Sequence, residues 1–284
     1  MSDVEPSRGV VHDAVARALA EDLGVLGDIT AALLPEDARG VATFVARAPG
    51  VIAGIACATE TFAQLDDAVD VTWDRRDGDM VEAKTAIGRV EGPLRSILTG
   101  ERTALNFLCH LSGVATLTRH FVDRAAGRAR IWDTRKTTPG LRALEKAAVR
   151  AGGGVNHRGS LSDMVLVKDN HLGALGVTGA VKRAREHWPA RHVEVECDRA
   201  EQVQEAVNAG ADMVMLDNMS VADAAACVRL VRESARPDTL IEISGGVTLD
   251  NVADYAGTGA NLISTSAITQ SAPALDIALD LLVR

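Results

Sequence analysis

The chain after Arg128 alternates short apolar runs with helical stretches, and this pattern restricts the fold more than any other feature. We interpret the runs as buried strands, because segments of helical period lie between most of them. Repeated β–α alternation is typical of a parallel sheet, and the six units favour a TIM-type barrel, complete or incomplete. An open doubly wound sheet is the alternative, since the pattern does not reveal strand order. The runs are Ala129–Trp132, Met164–Val167, Val193–Val195, Met213–Leu216, Leu240–Ile243 and Asn261–Ser264.

One of the predicted helices has clear end signals. For residues 139–151, Thr138 is a suitable N-cap, Pro139 suits the first helical position and Gly152 suits the position after the end. The other helices predicted in this part of the chain are 178–187, 199–209, 221–235 and 248–257.

The first third of the chain has a different texture and predicts a compact α+β unit. Apolar residues spaced four apart indicate a helix within 10–23. Residues 39–56 read as two β-runs separated by a Pro-Gly turn, and a further helix is predicted from about residue 101 to about residue 126.

Composition excludes several classes of protein. Hydrophobic residues make up 47% of the chain and aromatic ones only 3%, so the core must be aliphatic. The net charge of −9 argues against a nucleic-acid-binding face. No apolar run approaches the roughly 18 residues of a membrane span. The N-terminus also lacks the pattern of a signal peptide, so we expect a cytoplasmic protein.

The cysteines give no sign of a metal site or a disulfide framework. The four residues lie far apart and form no CxxC pair. Reduced, mostly buried thiols are therefore expected.

Polar residues follow every apolar run. In a (β/α) barrel these positions share one rim, which is where such enzymes carry their active sites. Polar residues commonly end strands for structural reasons alone. Here, however, cations follow the first two runs and acids follow the next two, which favours a functional site. The segments are 133–136, 168–170, Glu196, 217–218, 244–246 and 264–266.

The densest group on this predicted rim is cationic and comprises Arg135, Lys136, His157, Arg158 and Lys168. Like charges repel by about 4 kcal/mol per pair at 4 Å and an effective dielectric near 20, so such a group calls for an anionic ligand. Arginine suits carboxylates in bidentate geometry, and lysine suits phosphates. A helical stripe nearby reads equally well as part of this group or as a solvated face; it contains Arg142, Lys146 and Arg150.

The acidic strand ends suggest a cation or a sugar. Glu196 and Asp217, with Glu242 on the following strand, could hold Mg²⁺ through water, bind sugar hydroxyls or pair with the cations. Ser244-Gly245-Gly246 and the turn at 264–266 predict a phosphate cradle of backbone N–H groups.

Several segments resemble the quinolinate phosphoribosyltransferases, which are also called nicotinate-nucleotide pyrophosphorylases (carboxylating). The similarity extends over nearly the whole chain and is carried by TRKTTPG, GGGVNHR and KDNH within 133–171, and by EDLG, GDIT, ERTALNFLCHLSGVAT, VEVEC, MLDNM, EISGG and ALDIALD. It implies an α/β fold with an N-terminal α/β sandwich (1–113, joined by the tail 270–284) and an incomplete TIM-like barrel (114–269). It also implies a homodimer with active sites shared between subunits.

The resemblance further implies the reaction and the roles of individual residues. Quinolinate and PRPP would give nicotinate mononucleotide, carbon dioxide and pyrophosphate, with Mg²⁺, in NAD biosynthesis. Quinolinate would be bound by Arg102, Arg135, His157, Arg158 and Lys168. PRPP would be bound by Lys136, Glu196, Asp217, Ser244, Gly245, Gly246, Ser264, Thr265 and Ser266, with Glu196 and Asp217 near Mg²⁺. The catalytic set would be Lys136, Lys168, Glu196 and Asp217, and Lys136 is one candidate for protonating the product carbon.

Three positions depart from the family pattern. Ser266 and Gln270 stand where the family usually has a glycine and a histidine, and Cys109 replaces a common glutamine. Gln270 can donate a hydrogen bond but cannot carry charge.

Three other functions remain open at this level. They are a relative that takes nicotinate or another base, a Schiff-base aldolase that uses Lys168, and a non-catalytic anion-binding protein.

Overall fold

The computed structural model describes residues 5–283 and divides into two compact units. The first contains the chain up to Arg119, Thr137–Gly153 and the segment from Ile268 onward, and the second contains His120–Lys136 and Gly154–Ala267.

The elements follow one another in the order that the sequence suggests. The strands are β1 Arg39–Ala46, β2 Gly50–Val51, β3 Asp70–Trp73, β4 Met80–Val81, β5 Thr85–Pro93, β6 Arg130–Trp132, β7 Val165–Val167, β8 Val193–Cys197, β9 Met213–Asp217, β10 Leu240–Ser244, β11 Leu262–Ser264 and β12 Ile277–Val283. The helices are α1 Arg8–Leu23, α2 Ile55–Leu65, α3 Leu94–Ala125, α4 Arg142–Ala151, α5 Asp169–His187, α6 Ala200–Ala209, α7 Val221–Arg232, α8 Val252–Ala256 and α9 Ala267–Gln270, with a short 3-10 helix at Ala31–Leu33. No helix among them is both long and apolar enough to cross a membrane, as far as residues 5–283 are concerned.

An antiparallel sheet of order β12-β1-β5-β3 forms the centre of the first unit. Alternate side chains of β1 face its core, where Phe44 stacks on Trp73 with ring centroids 4.8 Å apart and meets Phe62 edge-on. The C-terminal strand β12 pairs with β1 along its full length, with Phe44 opposite Leu279. Ile277 of this strand is buried in the same core.

The second unit contains six parallel strands in the order β6-β11-β10-β9-β8-β7. Apart from β6, the strands neighbour each other in chain order, and β11 returns to pair with β6. That cyclic order is the arrangement of a barrel, because a doubly wound sheet would reverse its order in the middle. β6 and β7 share no ladder, and only a single bridge joins Trp132 to Val155 in the gap. The prediction of an incomplete barrel is confirmed.

Several element boundaries differ from the sequence-based ones. The helix predicted over 139–151 begins at Arg142, because Gly140 adopts φ 80°, which a right-handed helix excludes. Its N-cap position is occupied by Leu141 rather than by Thr138, so it has no side-chain cap. The second β-run of 39–56 shortens to β2, since Gly54 at φ 99° turns the chain into α2. α3 begins at Leu94, seven residues earlier than residue 101.

Helix α5 also differs from its prediction. It extends back to Asp169 rather than beginning at 178, and Gly176 at φ 64° interrupts its helical geometry. The segment therefore consists of two shorter helices that meet at a glycine.

The packing of α3 against the C-terminal segment leads to a stability prediction. An ideal Cβ on Gly113 would lie 2.1 Å from the carbonyl oxygen of Pro273. We expect Gly113→Ala to lower the free energy of unfolding by about 1–3 kcal/mol, because the added methyl group must displace backbone. Gly179→Ala in α5 is the matched control, since no atom lies within 4 Å of its added methyl group, and it should be neutral or slightly stabilising. Urea unfolding of both variants measures the difference, and equal stabilities would contradict this close approach.

Candidate active site

The barrel brings its polar strand ends to one rim. Ser244 at the end of β10 is in register with Asp217 at the end of β9, and Ser264 at the end of β11 is in register with Trp132 of β6. Lys168 follows β7 directly, and Glu196 lies in β8. These predicted site residues therefore share the carboxyl ends of parallel strands within one unit.

One predicted site residue, Arg102, belongs to the first unit, where it is exposed on α3. Gln270, one of the departures from the family pattern, is exposed at the end of α9, also in the first unit.

We call Arg135, Lys136, Arg158 and Lys168 the cationic rim. Lys136 and Lys168 are exposed, whereas Arg135 and Arg158 are half-buried. The pKa of Arg158 is lowered, first by burial and then by the like charge of Arg135, so the two guanidinium groups are close enough to repel each other. Two neighbouring arginines of this kind are suited to a ligand with two carboxylates.

Lys168 and Glu196 form a direct ion pair between adjacent strands. Val167 of β7 is in register with Val195 of β8, so the residue after each valine projects at the same level of the rim. The Glu196 side chain is 13% exposed, compared with 45% for Lys168, so the glutamate is the more buried member of the pair.

The loop after β10 has the backbone geometry of an anion cradle. Gly245 and Gly246 have φ values of 87° and 64°, in the left-handed region that favours glycine. A Cβ on Gly245 would lie 2.3 Å from Oδ1 of Asn218, whereas around Gly246 there is nothing within 4 Å. Asn218 also donates its backbone N–H to the Ser244 carbonyl at 2.9 Å, which ties this loop to β9. A side chain at Gly245 would therefore disrupt the turn.

The β11 end supplies hydroxyl groups beside this loop. Thr265 donates its hydroxyl to the carbonyl of Val247 at 3.3 Å, and its backbone N–H donates to Trp132 at 3.2 Å. Ser264 is 2% exposed, and within residues 5–283 its hydroxyl has no hydrogen-bond partner. Ser266 is half-buried.

A buried aspartate holds the loop that carries Arg158. Asp133 is fully buried at the end of β6, and its carboxylate accepts the Asn156 side-chain amide at 2.6 Å and the His157 backbone N–H at 2.8 Å. The His157 ring also packs edge-on against Trp132, with centroids 4.8 Å apart. The position of Arg158 is thus set from inside the barrel.

Beneath the rim, His157, Glu194 and Glu242 form what we call the buried triad. His157 is 8% exposed and both glutamates are 0% exposed. Nε2 of His157 lies 3.0 Å from Oε2 of Glu194 and 3.4 Å from Oε2 of Glu242. Nδ1 accepts the backbone N–H of Arg158 at 2.7 Å. Because Nδ1 is an acceptor, the ring carries its proton on Nε2 and donates it toward the glutamates.

The triad retains protons that free side chains would release. Burial and the charge of Glu242 raise the pKa of Glu194 to about 8. Burial lowers the pKa of His157 and the charges of the two glutamates raise it, with a net shift to about 9. The Arg158 N–H that Nδ1 accepts opposes this second proton, so the geometry fits the neutral ring with its proton on Nε2. A proton on Glu194 also supplies a donor inside the triad, where Oε1 of Glu194 and both oxygens of Glu242 otherwise make no hydrogen bond within residues 5–283.

Two sets of residues have the chemistry to hold a metal ion. The triad offers one ligand atom from each residue, all within 4.8 Å of one another. The 3.0 Å contact between His157 and Glu194 is a hydrogen bond, so a proton joins these two groups. Glu196 and Asp217 are carboxylates at the more accessible rim, where a hydrated hard cation fits better.

The comparisons with known proteins identify the family. A family model described as "Quinolinate phosphoribosyl transferase, C-terminal domain" matches residues 114–280, and the corresponding N-terminal domain matches 28–112. The chain belongs to the quinolinate phosphoribosyltransferase family.

Relatives over nearly the whole length agree. The chain is 45% identical to a probable nicotinate-nucleotide pyrophosphorylase (carboxylating) of Synechocystis sp., covering 93% of this chain and 90% of the relative. It is 42% identical to the Mycobacterium leprae nicotinate-nucleotide pyrophosphorylase (carboxylating), over 95% and 96% of the two chains. The solved structure of the Francisella tularensis nicotinate-nucleotide pyrophosphorylase superimposes with a TM-score of 0.92 at 37% identity, over 98% of each chain.

Family membership confirms the resemblance read from the sequence, but sequence reasoning missed one residue of the site region. Glu194 was not identified, although it lies two positions before Glu196 in VEVEC. Alternate residues of a strand face the same side, so Glu194 had to point into the barrel below Glu196. That period of two was the available signal.

The triad also leads to a prediction about pH. A group with a higher pKa in the folded state binds more protons there, so its contribution to stability falls as the pH rises. For Glu194 this fall runs from 4.5 to about 8. We expect the free energy of unfolding to decrease more steeply between about pH 6 and about pH 8 in the wild type than in Glu242→Gln, which removes the charge that helps to raise the pKa of Glu194. Denaturant unfolding at both pH values measures this, and parallel pH dependences in the two proteins would contradict it.

Proposed function

We propose that the cationic rim binds quinolinate and that the acidic and glycine-rich strand ends bind PRPP, as the chain carries out its family's reaction. This reaction is the decarboxylating transfer of a phosphoribosyl group to quinolinate in NAD biosynthesis. The placement of Arg135 and Arg158 carries the assignment: both lie on the rim, Asp133 joins their two segments, and a ligand with two carboxylates would compensate both charges.

The phosphate of PRPP fits the loop at Gly245 and Gly246. Positive φ at both glycines and open space at Gly246 let backbone N–H groups approach an anion closely. The buried hydroxyl of Ser264, which has no other partner within the described chain, supports a polar ligand at this end of the rim. Thr265 and Ser266 complete the proposed phosphate site.

Mg²⁺ is part of the proposal, with Glu196 and Asp217 as the residues that would hold it. Both carboxylates lie at adjacent strand ends. Within residues 5–283, the Asp217 side chain accepts one hydrogen bond, from the Asn218 amide at 2.9 Å, so it retains acceptor capacity. When bound, the cation would neutralise charge on the pyrophosphate of PRPP.

The chemistry requires charge placement more than covalent help from the protein. The quinolinate nitrogen forms a bond to the anomeric carbon while the bond to pyrophosphate breaks, and its electron pair leaves with the pyrophosphate. Lys136 and Lys168 stabilise that negative charge, and Glu196 with Asp217 stabilises the positive charge on the ribose ring. The ring nitrogen, now cationic, accepts electron density when the adjacent carboxylate leaves as carbon dioxide, and the carbon then takes a proton.

The Schiff-base aldolase alternative is weaker than it was from the sequence alone. A Schiff base needs a neutral amine, and Lys168 is paired with the Glu196 carboxylate. Borohydride trapping with a sugar phosphate tests this alternative directly.

The assay that tests the function is carbon dioxide release from carboxyl-labelled quinolinate by the purified protein. We expect release that requires both PRPP and Mg²⁺ and that falls by about 100-fold or more in Lys136→Ala, because transition-state charge is left uncompensated. Nicotinate in place of quinolinate is the control for specificity. Binding of quinolinate without any release would favour the anion-binding alternative, and turnover of nicotinate would favour a different base.

A cytoplasmic homodimer with shared sites also belongs to the proposal. Arg102 is exposed on α3. The segment that follows α1 also exposes a group of apolar side chains of the kind that subunit contacts cover. This group comprises Val25, Leu26, Ile29 and Leu33, which are 67–101% exposed.

Shared sites predict complementation between inactive variants. Arg102→Ala and Lys136→Ala should each be inactive alone, whereas unfolding and refolding them together should restore activity, because mixed dimers contain one intact site. Refolding each variant alone is the control. No recovery in mixtures that form dimers would argue against Arg102 acting in the partner's site.

A further inference from the structure

The geometry points to Glu194 and Glu242 as positioning residues that set the affinity for quinolinate, acting through His157 on Arg158. This inference rests on the proposed function and extends it to two residues that touch no solvent. It also revises the part expected of His157, which would orient the neighbouring arginine rather than bind quinolinate itself.

A continuous series of contacts connects the glutamates with the arginine. Nε2 of His157 approaches both carboxylates, at 3.0 and 3.4 Å, and Nδ1 of the same ring accepts the Arg158 backbone N–H at 2.7 Å. The ring therefore has a glutamate pair on one nitrogen and the backbone of Arg158 on the other. Any change that lets the ring rotate removes the acceptor from Arg158.

Asp133 completes the support on the other side of the loop. It accepts the His157 backbone N–H at 2.8 Å, so residues 157 and 158 are held by two successive N–H groups. Neither acceptor is on the surface, because Asp133 is 0% and His157 is 8% exposed. The backbone of the arginine is thus fixed before any ligand arrives.

The charges around Arg158 act in the same direction. In its ionised form Glu194 attracts the Arg158 guanidinium, as does Asp163, whereas Arg135 repels it. These carboxylates therefore favour the position of Arg158 on the cationic rim.

This role predicts an effect confined to one substrate. The phosphate cradle is built on β9, β10 and β11, and hydrogen bonds from Asn218 to Ser244 and from Thr265 to Val247 hold it together. Loss of the triad should therefore weaken quinolinate binding and leave PRPP binding largely unchanged.

The test compares Glu242→Gln, Glu194→Gln and His157→Asn with the wild-type protein. Asparagine keeps an acceptor near the Nδ1 position but cannot reach the glutamates. We expect Kd and KM for quinolinate to rise by about tenfold, as is common when the supporting shell of a site is altered, while KM for PRPP changes by less than about twofold. Calorimetry gives the quinolinate Kd without PRPP, and steady-state kinetics gives both KM values.

A double variant tests whether the effect passes through His157. Glu242→Gln combined with His157→Asn should raise the quinolinate Kd no more than the larger single effect, because both changes break the same series of contacts. A double variant whose quinolinate Kd rises by the product of the two single increases would overturn the inference.

Asp212→Asn is the control for a merely structural role. Asp212 lies just before β9, at the opposite end of the strands, and pairs with Arg185 at 2.7 Å. We expect it to lower Tm without changing the quinolinate Kd. The inference fails if the triad variants behave like this control, or if stoichiometric metal co-purifies with the wild type and is lost in Glu242→Gln. A wild type that neither binds quinolinate nor releases carbon dioxide would instead overturn the proposed function.

Discussion

Buried charge inside the barrel is the constraint on which the active-site region depends. Asp133, Glu194 and Glu242 are fully excluded from solvent, and such carboxylates persist only when protons, donors or cations compensate them. Asp133 is compensated by N–H donors from its own loop, and the two glutamates share protons with His157. The cations of the rim stand above this layer. The contacts that compensate the buried carboxylates therefore also hold the loop that carries Arg158.

The parallel barrel makes this layering possible. Every strand ends at the same rim, so a strand contributes one residue to the accessible layer and the residue two positions earlier to the buried layer. Glu196 and Glu194 of β8 are such a pair, as are Ser244 and Glu242 of β10. These four positions thereby divide between the accessible rim and the buried layer. The members of each pair are only two positions apart in the chain, but one reaches the rim and the other is excluded from solvent.

The sequence predicted the six barrel strands to within two residues at either end, because apolar runs bounded by polar residues are a strong local signal. The cationic residues that follow these runs likewise led to the prediction of the cationic rim. The start of α4 was missed because Gly140 adopts a left-handed conformation that Thr138 and Pro139 do not reveal. Glu194 was missed because a glutamate between two valines looks like the solvent-facing half of an alternating strand. Glu194 becomes buried only when the barrel strands assemble, and this assembly depends on contacts between strands far apart in the chain.

The C-terminal strand has a consequence for the order in which the protein folds during synthesis. The sheet of the first unit has β12 at its edge against β1, and its core includes Leu275 and Ile277. A ribosome produces these residues after all six barrel strands, although β1 comes before the barrel in the chain. The first unit therefore waits for the whole barrel to be translated before its own core is complete, whereas the barrel strands are all available earlier. Such long-range pairing slows folding and leaves the edge of β1 unprotected in the nascent chain. Of the two units, the one whose strands come first in the chain is thus the later to be completed.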